Sequence, residues 1–506
     1  MKALLVILTI FLFITTVQAQ YGGGTGESNN PYLIYTAEHL NAIGMEPNDW
    51  DMHFKLTADI DLSIYTGTDF NIIGSFDSPF TGVFNGNSHT ISYFSYISTN
   101  RDCVGLFGCV NDPNAEIRAL GLIDPNVEAG AGCYVSSLVG CLANGIISNC
   151  YIDDGNISGN KYVGSLVGSN LPVYSIRPED FADEWLNDDQ DTGGMTRIII
   201  SFQNGIMNVH GYGKCHPTDC DWGTIKAEYS GNPFVAVYEF GFVTTTLTIR
   251  LISPNSLHVH TNEVFHDGTN RDFESDYFMH RATESPVYPN GQTVKKYGNS
   301  TVAMCHSTAS VSGIDHVGGL MGNNYGTVFD SYSTSNILGN NDVGGLVGYN
   351  YGRITGCSSA GSVQGYKYVG GLVGNDSRGQ ITNSYAISSV NGNDRVGGLS
   401  GAVDFGSIKN CYATGTVSAN ENVGGLIGHN WNGNVFASFW DTQTSGQMIS
   451  DGGTDKATAD MQTADTFLEA SWDFMDETTN GTEDVWWILE GQDYPRLWWE
   501  LGINDR

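Results

Sequence analysis

The stretch Val343-Gly-Gly-Leu-Val-Gly decides the fold of this chain, because the sequence returns to nearly the same phrase five times in succession. Successive copies start 26, 26, 27 and 27 residues apart, at Val317, Val343, Val369, Val396 and Val423. A fixed period in this range is the signature of a repeat architecture, in which one structural unit is stacked many times. The rest of the chain is therefore organised around these repeats.

Each repeat contains three short runs separated by polar turns with glycine. In the second copy the runs begin at Val343, Arg353 and Ser362. They are too short and too rich in Gly, Val and Thr for helices, so they predict strands. Three short strands cannot bury a core alone, but stacked units can pair each strand with its counterpart about 4.8 Å away. The repeats thus predict an all-β fold, a parallel β-solenoid.

Two columns of equivalent residues support this stacking. A leucine recurs three places after the first valine, at Leu320, Leu346, Leu372, Leu399 and Leu426. An asparagine, or an aspartate in one copy, recurs seven places after it, at Asn324, Asn350, Asp376 and Asn430. Stacked Asn side chains can hydrogen-bond to one another between coils. We expect the leucines to be buried and stacked on successive coils.

These units resemble the GLUG motif repeat, named for its Gly-Leu-x-Gly core, which occurs in bacterial surface and secreted proteins. The segments that flank the repeats also resemble those seen around such repeats. The resemblance covers most of the chain except roughly residues 171–300. It implies an extracellular repeat scaffold, and it supplies no catalytic residues.

The segments outside the repeats predict further units. Met1–Ala19 has Lys2, an apolar run and a small-residue ending, which is typical of a secretory signal peptide cut after Ala19. The later sequence contains no run that approaches a membrane span. The signal peptide predicts a protein that is secreted, extracellular or at the cell surface, and the resemblance to the GLUG repeats implies that it is bacterial. The other predicted units are a linker (20–30), an N-terminal cap with the first coils (31–103), GLUG-like repeats (104–170), an inserted domain (171–300), GLUG repeats (301–447) and a C-terminal cap (448–506).

The charge balance narrows the choice of partners. Lys and Arg total 22 against 55 Asp and Glu, which is a net charge of −33. This charge disfavours nucleic acid and anionic membrane surfaces as partners. Glycans, a cell-surface partner and a small hydrophobic ligand remain as candidates.

An insertion interrupts one repeat. The copy that starts at Val163 stops at Asn170, and its second half resumes at Val302. The intervening residues contain long alternating segments joined by short turns, which predict an antiparallel meander. Seven or eight such strands could close into a small up-and-down barrel, which can hold a small ligand. Insertions in solenoids lie on one face, often the binding face, so this domain is the candidate binding module.

Four residues of the insert are candidate ligand contacts: Trp185, Trp222, His258 and His260. The two histidines are two places apart and therefore share one face of a strand. They could be ligand contacts, although histidines on the surface or in the lumen of a barrel are the commoner case.

Cys215 and Cys220 flank a short loop that contains a proline. In a secreted chain this pattern predicts a disulfide that closes the loop. The alternative is a metal site in which His216, and with it His210, joins the two thiolates. The spacing matches no common zinc pattern, so the disulfide is the favoured interpretation.

The other cysteines fall into two groups. One group shares a column with serines in the second strand and predicts small inward residues, at Cys150, Cys305, Cys357 and Cys411. The second group, near the start of the repeats, comprises Cys103, Cys109, Cys133 and Cys141. Cys109 and Cys141 follow equivalent glycines, so they could face each other on adjacent coils and form a disulfide, although sequence does not determine the connectivity.

No cofactor is predicted. Asp59 and Asp61 share one face of a strand near the N-terminus, where they could bind a cation such as Ca²⁺. A solvated face or a turn is the favoured interpretation of this pair.

The sequence contains little that predicts a catalytic site. The phrase Gly398-Leu-Ser-Gly-Ala resembles a nucleophile elbow only in part, and Ser400 lies in a column of apolar residues. A β-helix polysaccharide lyase would need clustered carboxylates and a basic group on one face. We predict a non-catalytic secreted scaffold for adhesion, or for carbohydrate or other ligand binding through the insert. The alternative is a β-helix polysaccharide-degrading enzyme, a lyase or a hydrolase.

Overall fold

The computed structural model of the chain describes residues 21–501, apart from residues 171–180, 188–193, 204–205, 215–219, 228–233, 254–255, 267–272, 283–299 and 476–478. The predicted signal peptide, Met1–Ala19, lies outside the described residues. Most of the regular structure is β-strand, as the sequence predicts. Within the described part of the chain, the helices are too short to cross a membrane.

An N-terminal cap covers the first coil of the solenoid. Its helix α1 (Ala37–Met45) begins after Thr36, whose Oγ1 accepts a hydrogen bond from the backbone N–H of His39 at 3.2 Å. A threonine at this position is a favourable start for a helix, because its side chain satisfies a backbone N–H of the first turn. The cap and the first coils contain β1 (Tyr32–Ile34), a 3₁₀ helix (Pro47–Asp49), β2 (His53–Leu56), β3 (Ile60–Asp61), β4 (Val83–Ser92) and β5 (Ser95–Ile97).

The start of the described chain belongs to this cap. The sequence predicts a linker over residues 20–30, but Tyr21 is buried against the aromatic rings of Tyr32 and Phe54. The backbone N–H of Gly22 also donates to the carbonyl of Leu33 at 2.8 Å. A linker pattern in the sequence misses this contact, because a glycine-rich segment can equally follow a neighbouring strand closely.

The coils before the insert follow in register, and their longest strands run through positions that are turns in later coils. They contain β6 (Phe107–Ile123), β7 (Asn126–Glu128), β8 (Cys133–Val135), β9 (Val139–Ser148), β10 (Tyr151–Asp153), β11 (Asn156–Ser158), β12 (Lys161–Gly164) and β13 (Val167–Asn170).

The insert forms a separate antiparallel sheet of eight strands, in the order β17-β16-β15-β14-β21-β20-β19-β18. Neighbours in the chain are neighbours in the sheet, apart from β17 and β18, which form its two edges, and the first strand, β14, pairs with the last, β21. Pairing of the first and last strands of a meander is typical of an up-and-down barrel. The strands are β14 (Asp183–Asn187), β15 (Met195–Gln203), β16 (Ile206–Gly213), β17 (Cys220–Ala227), β18 (Phe234–Glu239), β19 (Val243–Ser253), β20 (Ser256–Phe265) and β21 (Phe273–Arg281).

The coils after the insert repeat one pattern of very short strands. These are β22 (Thr301–Ala303), β23 (His306–Ser307), β24 (Ser310–Ser312), β25 (Asp315–Gly318), β26 (Met321–Asn324), β27 (Thr327–Phe329), β28 (Tyr332–Ser333), β29 (Asn336–Leu338), β30 (Asn341–Gly344), β31 (Val347–Asn350), β32 (Arg353–Thr355), β33 (Ser358–Ser359), β34 (Ser362–Gln364), β35 (Lys367–Gly370), β36 (Val373–Ser377), β37 (Gln380–Thr382), β38 (Tyr385–Ala386), β39 (Ser389–Asn391), β40 (Asp394–Gly397), β41 (Ser400–Asp404), β42 (Ser407–Lys409), β43 (Tyr412–Ala413), β44 (Val417–Ser418), β45 (Glu421–Gly424), β46 (Ile427–Trp431), β47 (Asn434–Phe436) and β48 (Phe439–Asp441).

A typical coil has five strands where the sequence predicts three, because two of the predicted runs are divided by bends. The first run divides at Gly345, where a Cβ atom would collide with the carbonyl of Gly371 in the next coil. The second run divides at Gly356, which has a φ of 63° and so favours glycine. Equivalent positions in other coils hold Asp330 and Asn383, which also adopt positive φ.

The solenoid is confirmed as parallel and in register. Val317, Val343, Val369, Val396 and Val423 pair with one another from coil to coil. The column of leucines is fully buried, as predicted, in a core that continues from the N-terminal cap to the last coil. Each repeat contributes strands to three parallel sheets, of 26, eight and seven strands.

A C-terminal cap closes the last coil and continues along its side. It contains α2 (Thr442–Ser445), β49 (Thr454–Lys456), α3 (Thr458–Met461), α4 (Ala464–Leu468), β50 (Trp486–Trp487), β51 (Arg496–Leu497) and a 3₁₀ helix (Trp498–Glu500). Its buried rings, which include Trp472 and Trp486, pack against Tyr385 and Tyr412 of the solenoid. The segment after the repeats thus packs its aromatic rings on the side of the solenoid.

Candidate functional site

The insert leaves the solenoid and returns to it at one point. Asn170 ends strand β13, and the hydroxyl of Ser300, just before β22, donates to its side-chain oxygen. The Asn170 amide also donates to Asn324 Oδ1 at 3.3 Å, so it forms the first step of an asparagine ladder. Val163 pairs with Val317 of the next repeat. The interrupted coil is therefore completed in register around the insert.

The insert has its own apolar core on the inner face of its sheet. The residues that fill it include Ile198, Val209, Leu247 and Val259, all of which are fully buried. Side chains of alternating residues supply this core, as expected for strands with one buried face. The lumen that the sequence offers as a ligand cavity is thus lined by packed apolar side chains.

Tyr238 joins the two edges of the insert sheet. Its ring lies on β18, and its hydroxyl accepts a hydrogen bond from the N–H of Gly211 on β16 at 2.7 Å. The hydroxyl also lies 2.9 Å from the carbonyl oxygen of Val209 and 3.1 Å from that of Gly223. Burial raises the pKa of Tyr238 to about 12. Among the described residues, the edge strands β17 and β18 do not pair through their backbones. The hydrogen bonds of the Tyr238 hydroxyl link the two edges of the sheet instead.

The predicted contact residues of the insert lie in different surroundings. Trp185 is fully buried, and its indole N–H donates to the carbonyl of Phe181 at 2.9 Å, so its ring serves the core. Trp222 is half-buried and packs edge-on against Tyr238, with ring centroids 5.7 Å apart. His260 is half-buried on β20. The side chain of His258 lies outside the described part of the structure.

A second group of side chains lies on the outer face of the insert, and His210 is its one member that the sequence suggests as a ligand. The guanidinium carbon of Arg197 lies 3.7 Å from the ring centroid of Tyr212. The ring of His210 stacks on the same tyrosine at 4.6 Å. Arg197 also forms an ion pair with Glu184 at 2.8 Å. We name Glu184, Arg197, His210 and Tyr212 the outer cluster. The sequence feature that indicates this cluster is the alternation of inward and outward residues along β15 and β16, in which Arg197, His210 and Tyr212 face outward.

The position of His210 bears on the predicted metal site. Its Nε2 lies 2.6 Å from Asp221 Oδ1, and its Nδ1 lies 2.7 Å from Thr224 Oγ1. Hydrogen bonds from Gly223 N–H and from His210 lower the pKa of Asp221. Both ring nitrogens are therefore occupied within the sheet. Cys215 and His216 lie outside the described residues, so the Cys215–Cys220 disulfide stays a prediction.

Comparison with known proteins places the repeats in a family. The model of the GLUG motif matches residues 339–364 and 392–418. These two segments coincide with coils of the solenoid. The chain contains GLUG repeats.

Two relatives are similar to part of this chain. A putative Gly-rich membrane protein of Evansella cellulosilytica is 34% identical over 139 residues, which is 27% of this chain and 16% of the relative. Halomucin of Haloquadratum walsbyi is 33% identical over 151 residues, which is 29% of this chain and 2% of the relative. The chain thus spans a small fraction of the length of each.

The serine of the partial nucleophile elbow is part of the GLUG solenoid core. Ser400 is fully buried in β41, and its hydroxyl donates to the carbonyl of Ala402 at 2.8 Å. It replaces Val373 and Ile427 of the neighbouring coils. This serine therefore fills a packing position.

Most cysteines of the coils are buried, and Cys133 is half-buried. Cys109 and Cys141 are register partners on adjacent strands, as predicted, and both are thiols in this structure. Burial raises the pKa of the neighbouring Cys103 to about 12. The four cysteines of the serine column, at positions 150, 305, 357 and 411, are almost completely buried and confirm their prediction as small inward residues.

The carboxylates of Asp59 and Asp61 accept hydrogen bonds from nearby groups. Asp59 accepts from Thr90 N–H at 2.9 Å and lies 3.1 Å from His89 Nδ1, and Asp61 accepts from Ser63 N–H at 2.8 Å. Both side chains are exposed, and these backbone hydrogen bonds contribute to lowering the pKa of each carboxylate. In the parts of the chain that the structure describes, His, Cys, Asp and Glu form no group of three or more that could hold a metal ion.

Proposed function

We propose that this chain is a secreted, non-catalytic repeat scaffold that presents its inserted β domain for binding a carbohydrate at a cell surface. The observation that supports this proposal is the point of insertion. The solenoid completes its coil in register through the Asn170–Ser300 contact, while the insert builds a core of its own. The scaffold therefore carries the insert without depending on it for its own pairing.

The outer cluster is the binding surface that we assign to the insert. An aromatic ring that packs against an arginine and a histidine, with a half-buried carboxylate nearby, can contact apolar parts of a sugar through its edge and the hydroxyl groups of the sugar through its polar neighbours. Tyr212 and Arg197 have this arrangement, with Glu184 beside them. Trp222 and His260 are further contacts in this proposal, and Cys215–Cys220 would brace the loop that leads into β17.

A glycan array tests the proposal. The full secreted chain should bind one class of glycan, and a variant without residues 171–299, in which a short glycine-rich turn joins Asn170 to Ser300, should fold but lose that binding. The double substitution Arg197→Ala and Tyr212→Ala should weaken binding by about tenfold or more. Thr246→Ala, on the outer face of β19, is the matched control and should bind normally.

Two outcomes would contradict the proposal. A deleted variant that still binds the same glycans would place the site on the coils, and one that unfolds would make the insert part of the scaffold.

Secretion of the protein is tested separately, because cleavage after Ala19 should leave Gln20 as the first residue in N-terminal sequencing. Alkylation of the unreduced, unfolded protein should leave Cys215 and Cys220 unmodified if they are paired.

A further inference from the structure

An aromatic column runs along one side of the GLUG coils, at the first position of the short strands β10, β23, β28, β33, β38 and β43. Tyr151 stacks on His306 with centroids 5.2 Å apart, and His306 stacks on Tyr332 at 4.8 Å. Two coils further on, Tyr385 stacks on Tyr412 at 4.9 Å. The coil between these stacks has Ser358 at the same position. The column is therefore interrupted where a small side chain replaces a ring.

The C-terminal cap covers this interruption. The ring of Trp499 stacks on Tyr332, with centroids 5.8 Å apart and planes 18° apart. Its indole N–H donates to the carbonyl of Gly356 at 3.1 Å, in the same coil as Ser358. A tryptophan from the cap thus lies beside the position where the coil lacks an aromatic ring.

A charged group holds the cap against the next ring of the column. The hydroxyl of Tyr385 donates to Glu500 Oε1 at 2.6 Å, and Arg496 Nη1 donates to the same hydroxyl at 3.2 Å. The second oxygen of Glu500 accepts from Leu497 N–H at 2.8 Å, and Arg496 also forms an ion pair with Asp493 at 3.2 Å. These groups are fixed before any ligand arrives, so binding would require little reorganisation.

Between the cap and the coils lies a cleft of about 330 Å³, at the small end of the range for ligand sites. We name it the cap cleft. Aromatic rings line it from both sides, at Tyr332, Tyr385, Trp487 and Trp499. On the part formed by the coils, Thr334 is exposed and Ser358 holds the outward position of the column, so these two residues offer hydroxyl groups to the cleft. The hydroxyl of Ser359, which also lines the cleft, donates to the carbonyl of Gly371 inside the solenoid. Aromatic walls with a few convergent polar groups are the usual composition of a small-molecule site.

The charges of the cap cleft restrict the ligand. Two carboxylates, of Asp493 and Glu500, face one guanidinium, of Arg496, which already binds Asp493. The cleft is therefore net negative within a chain of net charge −33, which disfavours an anionic ligand. A neutral ring with apolar C–H faces and several hydroxyl groups would match both the aromatic walls and the hydrogen-bonding groups.

We propose that the cap cleft binds a neutral sugar, as a single ring or as the end of a short oligosaccharide. This site lies outside the insert, so it goes beyond the function proposed above. The cleft lies where Ser358 replaces an aromatic ring in the column and the C-terminal cap covers that position. It is therefore a local site rather than a property of every coil.

Calorimetric titration of the full secreted chain with glucose, galactose, cellobiose, lactose and chitobiose tests the proposal. At least one of these sugars should bind saturably and change the tryptophan fluorescence. Glucuronic acid should bind about tenfold more weakly than the corresponding neutral sugar, because the cleft is net negative.

Substitutions that fill the cleft from opposite sides test its location. Ala360→Trp on the coil and Leu489→Trp on the cap should each weaken binding by about tenfold or more. Thr414→Trp is the matched control, because it is the equivalent of Ala360 two coils later and does not line the cleft. Circular dichroism checks that each variant folds. The insert-deleted chain should retain this binding, which separates this result from the proposal for the insert.

Two results would overturn the proposal. The first is that no sugar in the panel binds saturably to the intact chain. The second is that both tryptophan variants fold and bind as the wild type does, which would place any sugar site elsewhere.

Discussion

The solenoid and the insert bury apolar side chains by different rules. In the solenoid after the insert, strands are two to five residues long, and each core position is repeated one coil later by an equivalent residue such as Leu346 and Leu372. In the insert, strands have five to eleven residues, and alternate side chains of each strand face the core. A solenoid core is thus a stack of columns, whereas the insert core is specific to its eight strands.

The difference has a consequence for single substitutions. A change in a solenoid column alters a contact with the coils on both sides, because every coil depends on its neighbours. A change in the insert alters one closed core.

The largest effect is expected for Leu372→Asp in the solenoid core. An unpaired carboxylate would replace a fully buried side chain, so the free energy of unfolding should fall by about 5 kcal/mol or more. Leu338→Asp is the matched control, since Leu338 is 54% exposed on the same solenoid and should change stability by less than about 0.5 kcal/mol. Urea unfolding followed by circular dichroism measures both. Equal stabilities for the two variants would contradict the columnar core.

The second effect concerns pH and the asparagine ladder. Asn350 donates to Asp376 Oδ1 at 2.6 Å, while Oδ2 has no hydrogen-bond partner among the described residues. Burial raises the pKa of Asp376 to about 7, above the value of about 4 in an unfolded chain. The folded state therefore binds the proton more tightly. This stabilisation is complete below pH 4 and is lost as the pH rises to about 7.

Asp376→Asn should remove this dependence. Relative to the variant, the wild type should lose as much as about 4 kcal/mol of unfolding free energy between pH 4 and pH 8. Comparing the two proteins at each pH cancels the contributions of other groups. Asp455→Asn, an exposed change in the cap, serves as the control. Parallel pH profiles for the wild type and Asp376→Asn would show that this carboxyl is not the titrating group.

A smaller effect is expected for Tyr238→Phe in the insert. Removing the hydroxyl leaves Gly211 N–H without its partner in a buried site, which should destabilise the insert by about 2 kcal/mol. Hydrogen exchange should show faster exchange in β16 to β18 and unchanged protection in the solenoid. Tyr366→Phe, at an exposed tyrosine of the solenoid, is the control. Faster exchange throughout the solenoid would mean that the two cores unfold together.

The smallest effect is expected at the N-terminal cap. Thr36→Ala removes the oxygen that accepts from His39 N–H, and it should lower stability by about 1 kcal/mol. Thr36→Ser retains the oxygen and should restore most of this loss. Thermal unfolding of the three proteins gives the comparison. A Ser variant as unstable as the Ala variant would show that the cap acts through packing of the threonine methyl group.

Much of the fold follows from the sequence because the repeats make equivalent residues visible. The valine and leucine columns predict the parallel pairing and the core, and the resumption of the repeat at Val302 predicts the in-register return of the chain. The strands of the insert follow from alternation. The division of a repeat into five strands was not predicted, because it depends on close approach between coils at Gly345 and on the backbone at Gly356.

The candidate sites follow from the sequence less well. Unusual residue types drew attention to Trp185, which proves to be part of the insert core. The outer cluster depends on which residues of β15 and β16 meet across the sheet, which requires their register: Arg197 lies opposite Tyr212. The position of a tryptophan in the sequence does not show whether its ring faces the core or the solvent.

By itself, the sequence determined the period, the columns, the parallel stacking and the place of the insertion, because these properties are repeated every 26 or 27 residues. The contacts that occur in a single place, and not in every coil, are visible only in the tertiary structure. Trp499 meets Tyr332 across more than a hundred residues of chain, and Tyr238 closes the edge of its sheet against Gly211. Stacking relates each coil to the next by one fixed step, so a repeated residue predicts a repeated contact. The cap and the edge strands of the insert pack through side chains that occur in a single place, and the repeat pattern contains no information about them.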